Sequence, residues 1–329
     1  MPVQITIIGL GQIGASMGLA LASHKDTILR VGHDKKIEVE REALKKGAAD
    51  KMEHNLPSAV WDANLVVLCI PVSQIRETLE FIALDLKEGT VVFDTAPIKA
   101  GVQKWAKEIL PEGCHYVGLV PAINPKFMHD FQFGLDAAQP DLFANGLFLV
   151  DASQGIPEEA ATLAMDFVHL LGAKAILADS MESDGLMSTS HILPQLVAVS
   201  LLNATIDQPG WQDARKMAGR SYATVTAGLA YQDDIDSLRL SALQNPIGVV
   251  HALDVTIAAL LGLRDDIEGG NDEGVALRLK SALVGREHWL NERMAAEWTN
   301  PMRTEMPDTP SIPQRLFGGM FFGRKPSKK

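Results

Sequence analysis

The hexapeptide GLGQIG at 9–14 constrains the fold of this 329-residue chain more than any other feature. Residues 3–10 read as a buried strand and 15–25 as a helix, so the glycines stand at a strand-to-helix turn. In that context Gly9 permits the tight turn, Gly11 lets the backbone approach a pyrophosphate, and Gly14 lets the helix pack on the sheet. A helix N-terminus there offers free N–H groups and a partial positive charge to phosphates. The expected cofactor contacts are therefore Gly9, Gly11, Gln12, Ile13 and Gly14; the alternative is a glycine turn without a ligand.

Asp34 ends a second strand run, twenty residues after Gly14. A carboxylate there accepts hydrogen bonds from the adenine ribose and repels the extra phosphate of NADP. Lys35 and Lys36 follow and could pair with that phosphate, so NAD is expected and NADP stays open. A third strand run ends at 71, where Pro71 and Ser73 are expected to line the cleft, with Ser73 alternatively an N-cap. Asp94, in the strand run 90–97, completes the expected cofactor set.

Strand-like runs alternate with helical stretches through residue 179, at 3–10, 27–34, 64–71, 90–97, 115–121, 146–152 and 174–179. Such alternation predicts an α/β domain over 1–180: a doubly wound parallel sheet with helices on both faces. From 181 to 299 the pattern is helical, with 185–204 apolar nearly all round, so a buried helix is expected, and with long amphipathic stretches at 246–267 and 273–294. Residues 300–329 are proline-rich and end in a basic, apolar stretch, RLFGGMFFGRKPSKK. That end reads as a disordered terminus or as a short anchor for a partner or an anionic membrane surface.

A formal net charge of −11 argues against nucleic-acid binding through a general basic surface. Two cysteines, Cys69 and Cys114, without a Cys/His cluster, suggest no metal and a reduced, cytoplasmic compartment. No leader-like segment opens the sequence, and no apolar run reaches the ~20 residues of a membrane span.

With these motifs in hand, the sequence resembles the prephenate and arogenate dehydrogenase family of tyrosine biosynthesis, a Rossmann-type domain followed by a helical dimerisation domain. The carriers are IIGLGQIGASMGLAL (7–21), VVFDTAPIKA (91–100), YVGLVPAINP (116–125), DLFANGLFLV (141–150), DGLMSTSHILPQLVAVSLL (184–202) and NPIGVVHALD (245–254). The resemblance implies hydride transfer to the nicotinamide from the carbon bearing the ring hydroxyl. A base takes the hydroxyl proton and the ring carboxylate leaves as carbon dioxide. It also implies a homodimer through 181–295, which the apolar helices favour. TSHILPQLVA (189–198) is the most specific match, since the family has serine-histidine-leucine-proline-histidine-leucine there. His191 carries over as a substrate-binding histidine, with a hydrogen-bonded core histidine as the alternative.

Three positions depart from the family pattern. Val120 stands where its glycine-histidine-proline-methionine run has the catalytic histidine. The turn DTAPIK (94–99) keeps Asp94 and Lys99 but has Pro97 in the serine position. SYATVT (221–226) has no arginine where the family carries a substrate clamp, leaving Arg220, just before it, as the candidate for that space. A changed substrate or a changed role follows. Another hydroxy acid is one alternative, and a non-catalytic dinucleotide-binding protein is the other. The remaining candidates are His191 as base and Lys99 and Asn124 as substrate contacts, the last two alternatively a solvated lysine and a turn residue. Asp184 would orient His191 or cap its helix.

Overall fold

The structure, a computed structural model, describes residues 2–130, 132–151, 155–231 and 234–296. Eight strands form one sheet: β1 (Val3–Ile8), β2 (Ile28–His33), β3 (Lys51–Met52), β4 (Leu65–Leu68), β5 (Val91–Asp94), β6 (His115–Ala122), β7 (Leu147–Asp151) and β8 (Lys174–Ala178). Their spatial order is β3-β2-β1-β4-β5-β6-β7-β8. The central strands β4 (LVVL) and β5 (VVFD) are buried at every residue, the pattern of parallel strands covered on both faces. Successive residues serve opposite cores. Phe93 belongs to the cluster of Met17, Phe148 and Phe167, while Val92 belongs to that of Leu79, Ile98 and Trp105.

The covering helices are α1 (Gln12–Ala20), α2 (Ile37–Lys46), α3 (Leu56–Val60), α4 (Val72–Ile82), α5 (Ala100–Ile109) and α6 (Glu158–Leu170). Gly47 ends α2 in the left-handed region, φ 80°, as its sequence position predicts. One part of the parallel expectation fails: β7 runs antiparallel to β6, with Leu119 opposite Val150. Among its described residues the connection from β6 to β7 contains short 3-10 turns and no helix long enough to return the chain for a parallel strand.

After β8 the described residues are helical: α7 (Ser180–Met187), a π turn (Ser188–Ile192), α8 (Leu193–Thr205), α9 (Trp211–Met217), α10 (Arg220–Thr226), α11 (Gly228–Tyr231), α12 (Ile235–Gln244), α13 (Pro246–Glu268) and α14 (Asp272–Ala295). Asn245 caps α13 through the Gly248 N–H, and Asn271 caps α14 through the Gly274 N–H. Two helices, Ser180–Thr205 and Pro246–Glu268, are long and apolar enough to cross a membrane by length and composition alone, a test that core helices of soluble proteins also pass. The first is also less buried than its sequence suggested, with 22% of its most apolar window covered. The tail 300–329 lies outside the described residues.

Candidate active site

The glycine turn is built as the motif requires. Gly9 has φ +92°, and a Cβ on it would lie 2.4 Å from the Cys69 carbonyl oxygen. A Cβ on Gly14 would lie 2.0 Å from the Gly9 oxygen, so α1 can approach β1 only with glycine there. A Cβ on Gly11 would meet nothing within 4 Å, so this residue borders open space. Beside that space α1 begins without any side-chain cap, leaving its first N–H groups for a ligand. The Ile13 side chain packs on the core and Gln12 Nε2 donates to the Ala137 oxygen at 3.4 Å. Both side chains are therefore turned to the protein, leaving the backbone of these residues at the turn.

Asp34 follows β2 and is fixed against the turn. Its Oδ2 accepts from the Leu10 N–H at 2.9 Å and its Oδ1 from the Lys36 N–H at 2.9 Å. Its own N–H donates to Glu40 Oε1 at 3.1 Å. Lys35, Pro71, Ser73 and Gln74 line an open groove of about 900 Å³, with Asp234 and Arg239 on its far side. Ser73 does not cap α4, whose N-cap is Pro71. Instead it joins the two walls: Ser237 Oγ donates to Ser73 Oγ at 3.1 Å. An open phosphate cradle, an uncapped helix and a carboxylate at the β2 edge fit a dinucleotide.

The structure brings Asp94 and Lys99 together as an ion pair. Both are buried, with Lys99 Nζ donating to Asp94 Oδ1 at 2.7 Å. Tyr116 OH donates to Asp94 Oδ2 at 2.5 Å, and the Ala96 N–H to Oδ1 at 2.7 Å, so the carboxylate is fully engaged. Lys99 is therefore not a solvated lysine. The reason is steric and electrostatic: Lys99 runs across Gly118, where a Cβ would lie 2.4 Å from its Cδ. Burial, the Asp94 charge and the Asp94 bond all push the Tyr116 hydroxyl well above its ordinary pKa.

The strand run expected at 115–121 is β6, which continues through Ala122. Val120 is 5% exposed and pairs opposite Leu149. Asn124 is a turn residue that caps the 3-10 turn Pro125–Phe127. Its Oδ1 accepts from the Lys126 N–H at 3.1 Å and its Nδ2 donates to the Asp141 oxygen at 3.3 Å. One contact here had no sequence motif: Arg293, in the last turn of α14, donates from Nη2 to the Ile123 oxygen at 2.8 Å.

From the helical side, His191 is half-buried on the π turn. Two residues, Ile192 and Leu193, separate it from Pro194, one more than in the family run. A π turn is the form in which a helix absorbs an extra residue. Gln195, in the place of the family's second histidine, is buried and donates to the His191 carbonyl oxygen at 3.2 Å. Asp184 does not cap its own helix, a task that falls to Asp179. It caps α5 instead, accepting from the Lys99 and Ala100 N–H groups at 2.5 and 3.2 Å. Arg220 is exposed at the start of α10.

The sheet and its glycine turn define a Rossmann-like nucleotide-binding protein with a helical C-terminal region. Residues 17–177 match the family model described as "Prephenate dehydrogenase, nucleotide-binding domain". Over those residues the chain is similar to the prephenate dehydrogenase family. It is 27% identical over 202 residues to the prephenate dehydrogenase of Bacillus subtilis, covering 61% of this chain and 53% of that protein. It is also 27% identical over 198 residues to the cyclohexadienyl dehydrogenase of Zymomonas mobilis, covering 60% of this chain and 66% of that one. The matches thus span about half to two thirds of these relatives. In fold it resembles the prephenate dehydrogenase from Aquifex aeolicus in complex with hydroxyphenyl propionate and NAD+. The TM-score is 0.75 at 20% identity, over 88% of this chain and 98% of that one.

Proposed function

We propose that the protein is an NAD-linked dehydrogenase of prephenate or arogenate type with an altered active site, acting in the cytoplasm. The carrying observation is the glycine turn: open space at Gly11, an uncapped α1 and a carboxylate fixed by the Leu10 N–H. Asp34 supports NAD over NADP, since a phosphate on the ribose would meet its charge. On this reading residues up to about 180 hold the cofactor and the helices beyond supply the substrate side. The nicotinamide, when bound, accepts the hydride. The chain must then bind the substrate, hold its ring hydroxyl and take that proton. His191 is the imidazole for the last task, because a neutral imidazole is basic near pH 7 and Val120 offers none. The unbridged Cys69 and Cys114 fit a reduced compartment.

A second reading is a dinucleotide-binding protein that no longer catalyses. It is favoured by one observation: Val120 is buried in β6, where the family's histidine would stand. Calorimetry with NAD and NADP, followed by steady-state assays on prephenate and arogenate, separates the readings. NAD is expected to bind more tightly than NADP. Turnover is expected below an ordinary ~10 s⁻¹, and lost in His191→Ala. NAD binding without turnover of either substrate selects the second reading. Failure to bind either dinucleotide overturns both.

A further inference from the structure

Most charged residues of α2 lie at the surface: Glu38, Arg41, Glu42, Lys45 and Lys46 are exposed. Glu40, on the same helix, is 5% exposed. A carboxylate taken out of water costs free energy unless it is paired and hydrogen-bonded. Glu40 finds its partners at the rim of the sheet. β1, β2 and β3 run parallel, with Ile8 beside His33 and Gly32 beside Met52. Their carboxyl ends therefore lie together, and Gly9, Asp34 and His54 follow them on one edge. In open α/β sheets ligands bind outside that edge. Glu40 Oε1 accepts from the Asp34 N–H at 3.1 Å, and Oε2 accepts from His54 Nδ1 at 3.1 Å. His33, the last residue of β2, closes the other side. Its Nδ1 donates to the Glu53 carbonyl oxygen at 3.0 Å and lies 3.7 Å from Glu40 Oε1.

We propose that Glu40 is a positioning residue for the cofactor: held between His33 and His54, it fixes the Asp34 main chain so that the Asp34 carboxylate meets the adenosine ribose. The inference rests on the NAD-linked reading above. Asp34 is anchored on both carboxylate oxygens, Oδ2 by the Leu10 N–H and Oδ1 by the Lys36 N–H. An ionised carboxylate has about four lone-pair sites, so each oxygen can still accept from a ribose hydroxyl. Glu40 adds the anchor on the main chain. Without it the Asp34 peptide can turn, and the carboxylate no longer points where the sugar lies. Small errors in the aim of a binding group cost affinity when its supporting shell is lost.

The test is calorimetry of the full chain with two probes, NAD and its analogue lacking the adenosine 2′-hydroxyl. Wild type is expected to bind NAD about tenfold more tightly than the deoxy analogue, since a hydrogen bond to a charged group is lost with the hydroxyl. Glu40→Ala should weaken NAD about 3- to 10-fold and leave the deoxy analogue unchanged. Glu40→Gln keeps an acceptor for the Asp34 N–H and should hold the ratio of the two affinities within about twofold of wild type. Asp34→Ala should bring the ratio to about one, and adding Glu40→Ala to it should change the ratio no further, because the two act through one contact. If Glu40→Ala fails to fold by circular dichroism, the ratio is read on Glu40→Asp, whose shorter side chain withdraws from the Asp34 N–H and should lower it several-fold. A purely structural role would weaken both probes alike and leave the ratio at its wild-type value, which overturns the proposal alone. So does a Glu40→Gln variant that behaves like Glu40→Ala, or a wild type that binds the two probes equally. Wild type that binds neither probe overturns the proposal together with the NAD-linked reading.

Discussion

The Asp184 carboxylate caps a helix of the sheet region from a helix beyond it, taking the Lys99 N–H at 2.5 Å and the Ala100 N–H at 3.2 Å. Asn245 secures the same point, its Nδ2 donating to the Asp184 carbonyl oxygen at 2.7 Å. Burial raises the Asp184 pKa, and this outweighs the two backbone bonds that lower it. The charged form is therefore the less tolerated one in the fold. Its contribution is fully present at low pH and fades as the pH climbs from 3.8, the ordinary value, through the raised one. Asp184→Ala strands two N–H groups and should cost about 0.5–2 kcal/mol. Asp184→Asn keeps one acceptor, should cost less, and should remove the pH slope. Urea unfolding at pH 4 and pH 7 checks both; an Asn variant with the wild-type slope refutes the assignment.

The glycines of the turn should separate folding from binding. Gly11→Ala places its Cβ in open space, so stability should hold while NAD affinity falls at least tenfold. Gly14→Ala puts a Cβ 2.0 Å from the Gly9 oxygen, which is backbone and cannot swing away. That variant should lose several kcal/mol of stability, as overpacked sites do. Thermal melts with and without NAD distinguish the two outcomes.

These two cases mark what the sequence could reveal. The glycine turn, Asp34 and the strand–helix alternation are local signals, and local signals are legible. The burial of Lys99 against Asp94 is not legible, because nothing in DTAPIK reveals that Gly118 opens a channel for the lysine. The antiparallel β7 is equally silent in its own residues, since hydrophobic runs do not encode direction. Arg293 and Ile123 lie 170 residues apart, and no motif joins them.

Arg30 and Asp50 make a second pH-sensitive joint, under α1. Arg30 donates to Asp50 at 2.5 and 3.0 Å and to the Gly18 and Gly47 carbonyl oxygens at 2.6 and 2.9 Å. The hydrogen bond from Arg30 holds the Asp50 pKa below its ordinary value. A depressed carboxylate stabilises the fold above its unfolded pKa and loses that effect as pH falls through the folded one. Asp50→Asn leaves a buried guanidinium underpaired and should cost about 3–5 kcal/mol at pH 7. The gap from wild type should close in acid, below the depressed pKa. A gap that stays constant down to pH 2 would contradict the pairing.

The helical region should join two copies. On α13, Val250, Val255, Ile257 and Leu260 are all more than half exposed, and on α14 so are Leu277, Leu279, Leu283 and Val284. Only 11% of the most apolar window of α13 is buried. Contiguous apolar surface of this kind marks an association site, and a second copy of the same helices offers a matching face. Light scattering at micromolar concentration should give about twice 35.6 kDa. Glu at both Leu260 and Leu283 should yield a monomer. A monomeric wild type would overturn this.

Restoring the family's histidine at Val120 should recover little. Val120 sits in β6 opposite Leu149 at 5% exposure, so an imidazole there must lose water before it can serve as a base. Pro97, buried in the turn after β5, has no hydroxyl with which to hold such a ring. Lys99 and Tyr116, also near that turn, are committed to Asp94. Burying an unpartnered polar group costs about 1–3 kcal/mol, so Val120→His should melt several degrees below wild type. Its kcat on prephenate or arogenate should rise less than about tenfold, short of the ~10²–10⁴ that a positioned base supplies. The double variant Val120→His/Pro97→Ser should exceed either single one, because the serine can accept the ring N–H. Steady-state kinetics of the three variants decide the matter. A single Val120→His that gained the full factor would mean the site still holds the imidazole unaided and that its loss, not a wider change of role, explains weak turnover.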